Sequence, residues 1–154
     1  MSTTTWTSKK FKELTVEELY AVLRLRSEVF VVEQNCVFLD MDNKDQYCTH
    51  VMGWKGDTLA ACSRIVPAGI SYVESSIGRI VSSPNVRGQG IGRELVKRSI
   101  SLLYTLHGKT VIRIGAQYYL KKFYAEFGFG QAGDIYLEDG IEHVEMLLLT
   151  TSAV

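Results

Sequence analysis

Ile80-Val81-Ser82-Ser83-Pro84-Asn85-Val86-Arg87-Gly88-Gln89-Gly90-Ile91-Gly92-Arg93-Glu94-Leu95-Val96 joins two kinds of apolar pattern. Before it lies a β-branched segment, Ile77 to Val81, interrupted by Gly78 and Arg79; after it, Ile91, Leu95, Val96, Ile100, Leu103 and Leu106 recur at helical spacing. The order is strand, glycine-rich turn, helix. Gly88, Gly90 and Gly92 remove the Cβ atoms that would hold a ligand off the backbone, and glycine tolerates φ > 0 where the chain turns. Amide N–H groups of the turn and of the next helix's first turn can then converge on an anion, helped by the partial positive charge of that helix end. A phosphate or pyrophosphate cradle follows, the bland alternative being a turn that merely ends a strand. A Walker loop needs Gly-Lys-Ser/Thr, and Gly90 is followed instead by Ile91 and Gly92. A dinucleotide fingerprint needs a glycine nearer the strand end and an acidic residue about 20 positions on; the region near 112 offers Arg113.

A chain of 154 residues, 46% apolar, supports one domain with a real core, expected over 1–154. Lys+Arg and Asp+Glu both number 17, so no excess field points to nucleic acid or a membrane surface. A small molecule or another protein is the expected partner, and a homodimer stays open. No apolar run reaches the ~18 residues of a membrane span, and Met1-Ser2-Thr3-Thr4-Thr5 lacks the regions of a secretory signal, so the expected location is cytoplasmic. Cys36, Cys48 and Cys62 are odd in number and lack C-x-x-C spacing, which argues for free thiols and against a metal site.

Taken in order, residues 6–14 alternate loosely as an edge strand. Thr15-Val16-Glu17-Glu18 has the form of a capping box, so a helix starts near Val16, with Leu14 and Leu19 placed to staple it. Its apolar face is read as Leu19, Val22, Leu23, Arg26 and Phe30, so Arg26 sits where an apolar residue belongs. Either it pairs with Asp40, Asp42 or Asp45, or it serves an acceptor pocket. Val31 to Asp45 has no period and reads as an ordered loop. Strands at 50–54 and 58–66 flank the Lys55-Gly56-Asp57 turn, and Tyr72 to Ser82 is the strand entering the glycine loop. After the long helix, 111–116 reads as a buried strand parallel to the strand that enters the glycine loop, Tyr118 to Phe127 as an amphipathic helix, and 130–137 with 142–149 as a closing hairpin.

The arginine-glycine loop after Val81, this element order, and Phe123-Tyr124-Ala125-Glu126-Phe127-Gly128-Phe129 resemble the GCN5-related N-acetyltransferases (GNAT) over roughly 15–149. Arg26-x-x-Val29-Phe30-Val31-Val32-Glu33-Gln34, Asp40-x-Asp42-x-x-Asp45, His50, Gly115-Ala116-Gln117 and Asp139-Gly140-Ile141-x-His143 look like the ElaA-type subgroup. The resemblance implies an α/β (α+β) domain: a mixed, mostly antiparallel sheet splayed between its fourth and fifth strands, with helices on both faces and acetyl-CoA in the gap.

Carried over, the resemblance makes Ile80 and Val81 the backbone that receives pantetheine and acetyl carbonyl. Arg87, Gly88, Gln89, Gly90, Ile91, Gly92 and Arg93 become the pyrophosphate loop. Tyr124 matches the tyrosine beside the thioester sulfur, suited to protonating the leaving thiolate, although a core aromatic fits its position equally. His143, Glu33 and His50 are candidate bases, and Arg26, Phe30, Gln34, Asp42 and Asp45 form the expected acceptor pocket. The implied activity is acetyl transfer from acetyl-CoA to a primary amine within a ternary complex. An acyl-CoA sensor without turnover and an acyl-homoserine lactone synthase-like acyltransferase are the alternatives.

Overall fold

The computed structural model describes residues 3–150, so the ends of the 1–154 domain expectation lie outside the described residues. Within them, β-rich stretches separated by turns build two antiparallel sheets that touch at one point. The first has the order β1 (Thr5–Lys10), β2 (Thr49–Lys55), β3 (Thr58–Val66), β4 (Ser76–Ser82). In the second, β8 (Ile141–Leu148) pairs with β5 (Ile112–Gln117), β6 (Gly130–Gln131) and β7 (Tyr136–Glu138). The sheets meet at a parallel bridge between Ser75 and Ile112, where Arg113 N–H donates to Ser75 O at 3.0 Å. Beyond that bridge β4 and β5 part, giving the splay between fourth and fifth strands.

Side-chain alternation along the first sheet decides what covers each face. Val51, Ala61 and Ile65 pack with Leu95 and Leu103 of α2 (Ile91–His107). Met52, Cys62 and Val81 pack with Val22, Leu25 and Val29, which lie on α1 (Val16–Arg26) and just beyond it. Helices therefore lie on both faces, and burying Leu95 and Leu103 completely contributes about 1.5–3 kcal/mol each. The capping box forms as read: Glu18 N–H donates to Thr15 Oγ1 at 3.1 Å, and Thr15 N–H donates to Glu18 Oε1 at 2.8 Å.

Several boundaries differ from expectation. The first helix does not stop before Val31; Ser27–Glu33 continues it as a π-helix, with Gln34 N–H bonded to Val29 O at 3.1 Å and Cys36 N–H to Val31 O at 3.0 Å. Bonds that reach back five residues rotate side chains off a 3.6-residue repeat, which hides such a segment from periodicity. The buried stripe is Val22, Leu25, Arg26 and Val29, not Leu19 and Leu23. β1 ends at Lys10, and Phe11–Glu13 forms a 3-10 turn. β4 begins at Ser76 because the chain first turns back at Tyr72, whose carbonyl accepts from Gly69 N–H at 2.7 Å. Tyr118–Leu120 is a 3-10 turn leading into a short α3 (Lys121–Ala125). The closing hairpin's first arm splits into β6 and β7 around Gly133, whose φ is 97°.

Candidate active site

The splay opens a cleft of about 1120 Å³ between β4 and β5. One wall is the edge of β4, a row of backbone groups that no neighbouring strand takes up. That edge is bulged. Cys62 pairs with Val81 and Arg64 with Gly78, so β4 carries one residue more than β3 between those pairs, and Arg79 sits at φ 48°. A bulge removes backbone groups from the ladder and re-aims them. Ile80 and Val81 lie immediately after it and line the cleft.

At one end of this wall is the glycine loop. Gly88 and Gly90 adopt φ 83° and 78°, and an added Cβ at 88, 90 or 92 would meet nothing within 4 Å. Gly92 is already helical, so its service is open space. Gly90 caps α2 without a side chain, leaving first-turn N–H groups free toward the cleft. The loop's charged side chains are engaged nearby. Arg87 holds Glu33 through bonds of 2.8 and 2.7 Å, and Arg93 pairs with Glu126. Gln89 does not line the cleft and accepts from Lys55, while Ile91 is 7% exposed and belongs to the core as much as to the loop.

Tyr124 lies opposite, on α3. Phe123 and Phe129 pack edge-on against its ring at 5.2 and 6.2 Å, and the residue lines the cleft. Burial, reinforced by the neighbouring Tyr119, pushes its phenol well above the usual value of 10, so it is a proton donor at any physiological pH. His143 reaches the same cleft from β8. Its Nδ1 lies 2.7 Å from Ile141 O, and because a carbonyl oxygen only accepts, Nδ1 is the donor of that bond; Nε2 lies 3.5 Å from Glu138 Oε2. Its ring stacks on Tyr136 at 5.8 Å.

The remaining candidates separate. His50 is 1% exposed, bonded through Nε2 to Asp45 O at 2.9 Å and held below its usual pKa by burial; it does not line the cleft. Glu33 lines the cleft, but the Arg87 bonds hold its carboxylate below the usual range, which makes it a weak base. Phe30 and Gln34 line the cleft. Gln34 and Gln117 exchange amide bonds of 3.2 and 3.1 Å across it.

Arg26 and Asp45 are buried and do not line the cleft. With Asp42 they enter a closed ring of alternating charge that runs Arg26, Asp40, Arg79, Asp42, Arg64, Asp45 and back to Arg26. The successive separations are 2.8, 2.8, 3.3, 2.6, 3.0 and 2.7 Å. The aspartates come from one loop; the arginines come from α1, β3 and β4. Buried charge demands partners, and here each carboxylate and guanidinium finds two. Of the three ring members expected in the acceptor pocket, Asp42 alone borders the cleft, which Arg64 and Arg79 also line.

Sequence reasoning missed Tyr72 and Tyr136. Their hydroxyls flank Gly115 so closely that a Cβ there would sit 2.8 and 3.1 Å from them. A glycine between Ile114 and Ala116 in a buried strand was the available signal for that close approach.

The profile of the acetyltransferase (GNAT) domain matches residues 26–150. The chain belongs to the GNAT acetyltransferase family. Among curated relatives of this GNAT domain, ElaA of Escherichia coli strain K12 is 38% identical over 143 residues, covering 92% of this chain and 94% of that protein. A crystal structure described as an acyl-CoA N-acyltransferase from Pseudomonas aeruginosa superposes with a TM-score of 0.90 at 38% identity, covering 94% of this chain and 99% of that one. The crystal structure of E. coli ElaA gives 0.88 at 36% identity, with the same coverage of both chains. The AHL synthase LasI reaches 0.77 at 12% identity over 97% of this chain and 91% of that one, a likeness of fold alone.

Proposed function

We propose that this protein is an N-acetyltransferase that takes an acetyl group from acetyl-CoA and places it on a primary amine, both substrates being bound together. What supports this most directly is one cleft holding an unpaired β4 edge, a Gly88–Gly90 anion cradle and the Tyr124 phenol. The β4 edge offers an extended pantetheine arm backbone partners in the manner of an added strand. The cradle and the N-terminus of α2 offer N–H donors to the pyrophosphate. Backbone donors at Ile80 and Val81 receive the thioester carbonyl, where negative charge grows as the amine attacks.

Collapse then breaks the carbon–sulfur bond. Tyr124 gives its proton to the departing thiolate, and His143 Nε2 accepts the proton shed by the amine, directly or through water. Glu33 is a less apt base because Arg87 stabilises its ionised form. The acidic 40–45 loop offers no reason for a cationic acceptor, since Arg26, Arg64 and Arg79 already neutralise its three aspartates.

Release of free thiol from acetyl-CoA, followed across polyamines, aminosugars, amino acids and peptides, tests the proposal. Turnover with any of them, with mass spectrometry showing the acetylated amine, supports it. Tight acetyl-CoA binding without thiol release from any acceptor would favour a sensor instead. Turnover only with acyl-carrier-protein donors would favour the synthase-like alternative.

A further inference from the structure

Arg79 is a non-glycine residue in the left-handed region, at the point where β4 carries its extra residue. A side chain at that φ costs of order 1–3 kcal/mol, and such conformations persist where surrounding contacts over-determine them. The contacts here come from one loop. Arg79 Nη2 donates to Asp40 O at 2.9 Å and to Asp42 Oδ2 at 3.3 Å. Its Nε lies 2.8 Å from Asp40 Oδ1 without the alignment of a hydrogen bond, and its guanidinium lies 5.9 Å from the centre of the Phe38 ring. Asp40 is anchored in turn by Arg26 on α1 and Asp42 by Arg64 on β3. The bulge is thus tied through one side chain to both neighbouring elements.

We infer that Arg79 is a positioning residue: its clamp by Asp40 and Asp42 fixes the β4 bulge and so aims the Ile80–Val81 backbone at the acyl carbonyl. The inference rests on the acyl-transfer reading of the cleft. Arg79 does not touch the reacting atoms; it sets where the donors stand, and misplacement by about 1 Å can cost a hundredfold in rate. The glycine cradle is a separate segment and does not depend on this clamp.

The test uses isotope-edited infrared spectroscopy of acetyl-CoA labelled with carbon-13 at the thioester carbonyl, together with single-turnover rates and calorimetry with free coenzyme A. Hydrogen bonding to a carbonyl lowers its stretching frequency. In the wild-type protein the bound band therefore lies below that of free acetyl-CoA. In Arg79→Ala it moves back toward the free position, the single-turnover rate falls about tenfold to a hundredfold, and free coenzyme A affinity changes less than threefold. Arg79→Gly adopts the same φ without strain, so it decides the matter if the alanine variant fails to fold. The same losses in the glycine variant support the clamp. A wild-type band and rate in that variant would overturn it, as would a loss of thermal stability alone in either variant. A wild-type protein that neither binds acetyl-CoA nor shifts its carbonyl band would overturn the acyl-transfer reading itself, and the clamp with it.

Discussion

Arg87 grips Glu33 with two parallel bonds, Nη1 to Oε2 at 2.8 Å and Nη2 to Oε1 at 2.7 Å, joining the glycine loop to the end of the π-helical segment. A pyrophosphate bound in the proposed cradle would compete with Glu33 for that guanidinium. Because the pair is exposed to solvent, the competition is mild. Glu33→Gln should tighten coenzyme A binding about two- to fivefold, read by calorimetry. If kcat with a good amine stays within about threefold of wild type, Glu33 is also excluded as the general base; a hundredfold fall would restore it to that role.

Tyr124 carries the prediction closest to the chemistry. Tyr124→Phe keeps the ring that packs on Phe123 and Phe129 and removes only the donor. Its single-turnover rate should fall about 10²-fold or more, with acetyl-CoA affinity and melting temperature nearly unchanged. Since burial raises the phenol's pKa, its acidic form persists on the alkaline side. The wild-type rate should show no loss assignable to this group until pH exceeds about 10. A full single-turnover rate in the variant would remove Tyr124 from the mechanism.

Gly90→Val tests the cradle. Gly90 has φ 78°, which a β-branched residue adopts only with strain, and its missing Cβ faces open space. Acetyl-CoA affinity should fall more than tenfold, since charge-assisted hydrogen bonds are worth about 1.5–3 kcal/mol each. Circular dichroism checks that the domain stays folded, and unchanged affinity in the folded variant would rule the cradle out.

Arg26→Leu should be among the most destabilising substitutions in the chain. It leaves Asp40 and Asp45, both nearly buried, short of a partner, and breaking a buried pair costs about 3–5 kcal/mol. Urea unfolding measures the loss, and hydrogen exchange should show the 36–45 loop losing protection first. A change below about 1 kcal/mol would mean that the ring reorganises around the leucine.

The ring and His50 also set the response to acid. Hydrogen bonds and charge from Arg26 and Arg64 outweigh burial and hold Asp45 below the usual carboxylate range, while burial holds His50 below the usual imidazole range. Both folded-state pKa values are depressed, so each group stabilises the fold fully above its unfolded pKa and loses that contribution as pH falls through the folded one. Stability should therefore begin to decline below about pH 6.5 through His50, and again below about pH 4 through Asp45. Urea midpoints across pH 7 to 3 give the profile. His50→Asn should flatten its upper part only.

The strand, glycine turn and helix around residues 80–96 were legible in the sequence because their physics is local. Apolar spacing marks the elements, and Gly88 and Gly90 are needed for backbone angles that other residues avoid. The capping box at Thr15 and Glu18, the hairpin at Lys55-Gly56-Asp57 and the stop at Gly108 are local in the same way. Arg26 announced itself as a cation on a buried stripe, but its partners could be named only as three candidates within one acidic loop. Tertiary structure decided the rest. The ring that shuts Arg26 and Asp45 away from the cleft closes only when α1, β3 and β4 are packed, because its arginines stand far apart in sequence. The π-helix of 27–33 and the left-handed Arg79 carry no periodic signal, since each is a departure from a repeat imposed by contacts around it. Glu33 facing Arg87 across 54 residues, and Tyr72 and Tyr136 closing on Gly115, likewise exist only after the sheets have splayed apart. Short-range propensity and turn chemistry are written residue by residue; the placement of charge and the geometry of the cleft are set by which surfaces meet.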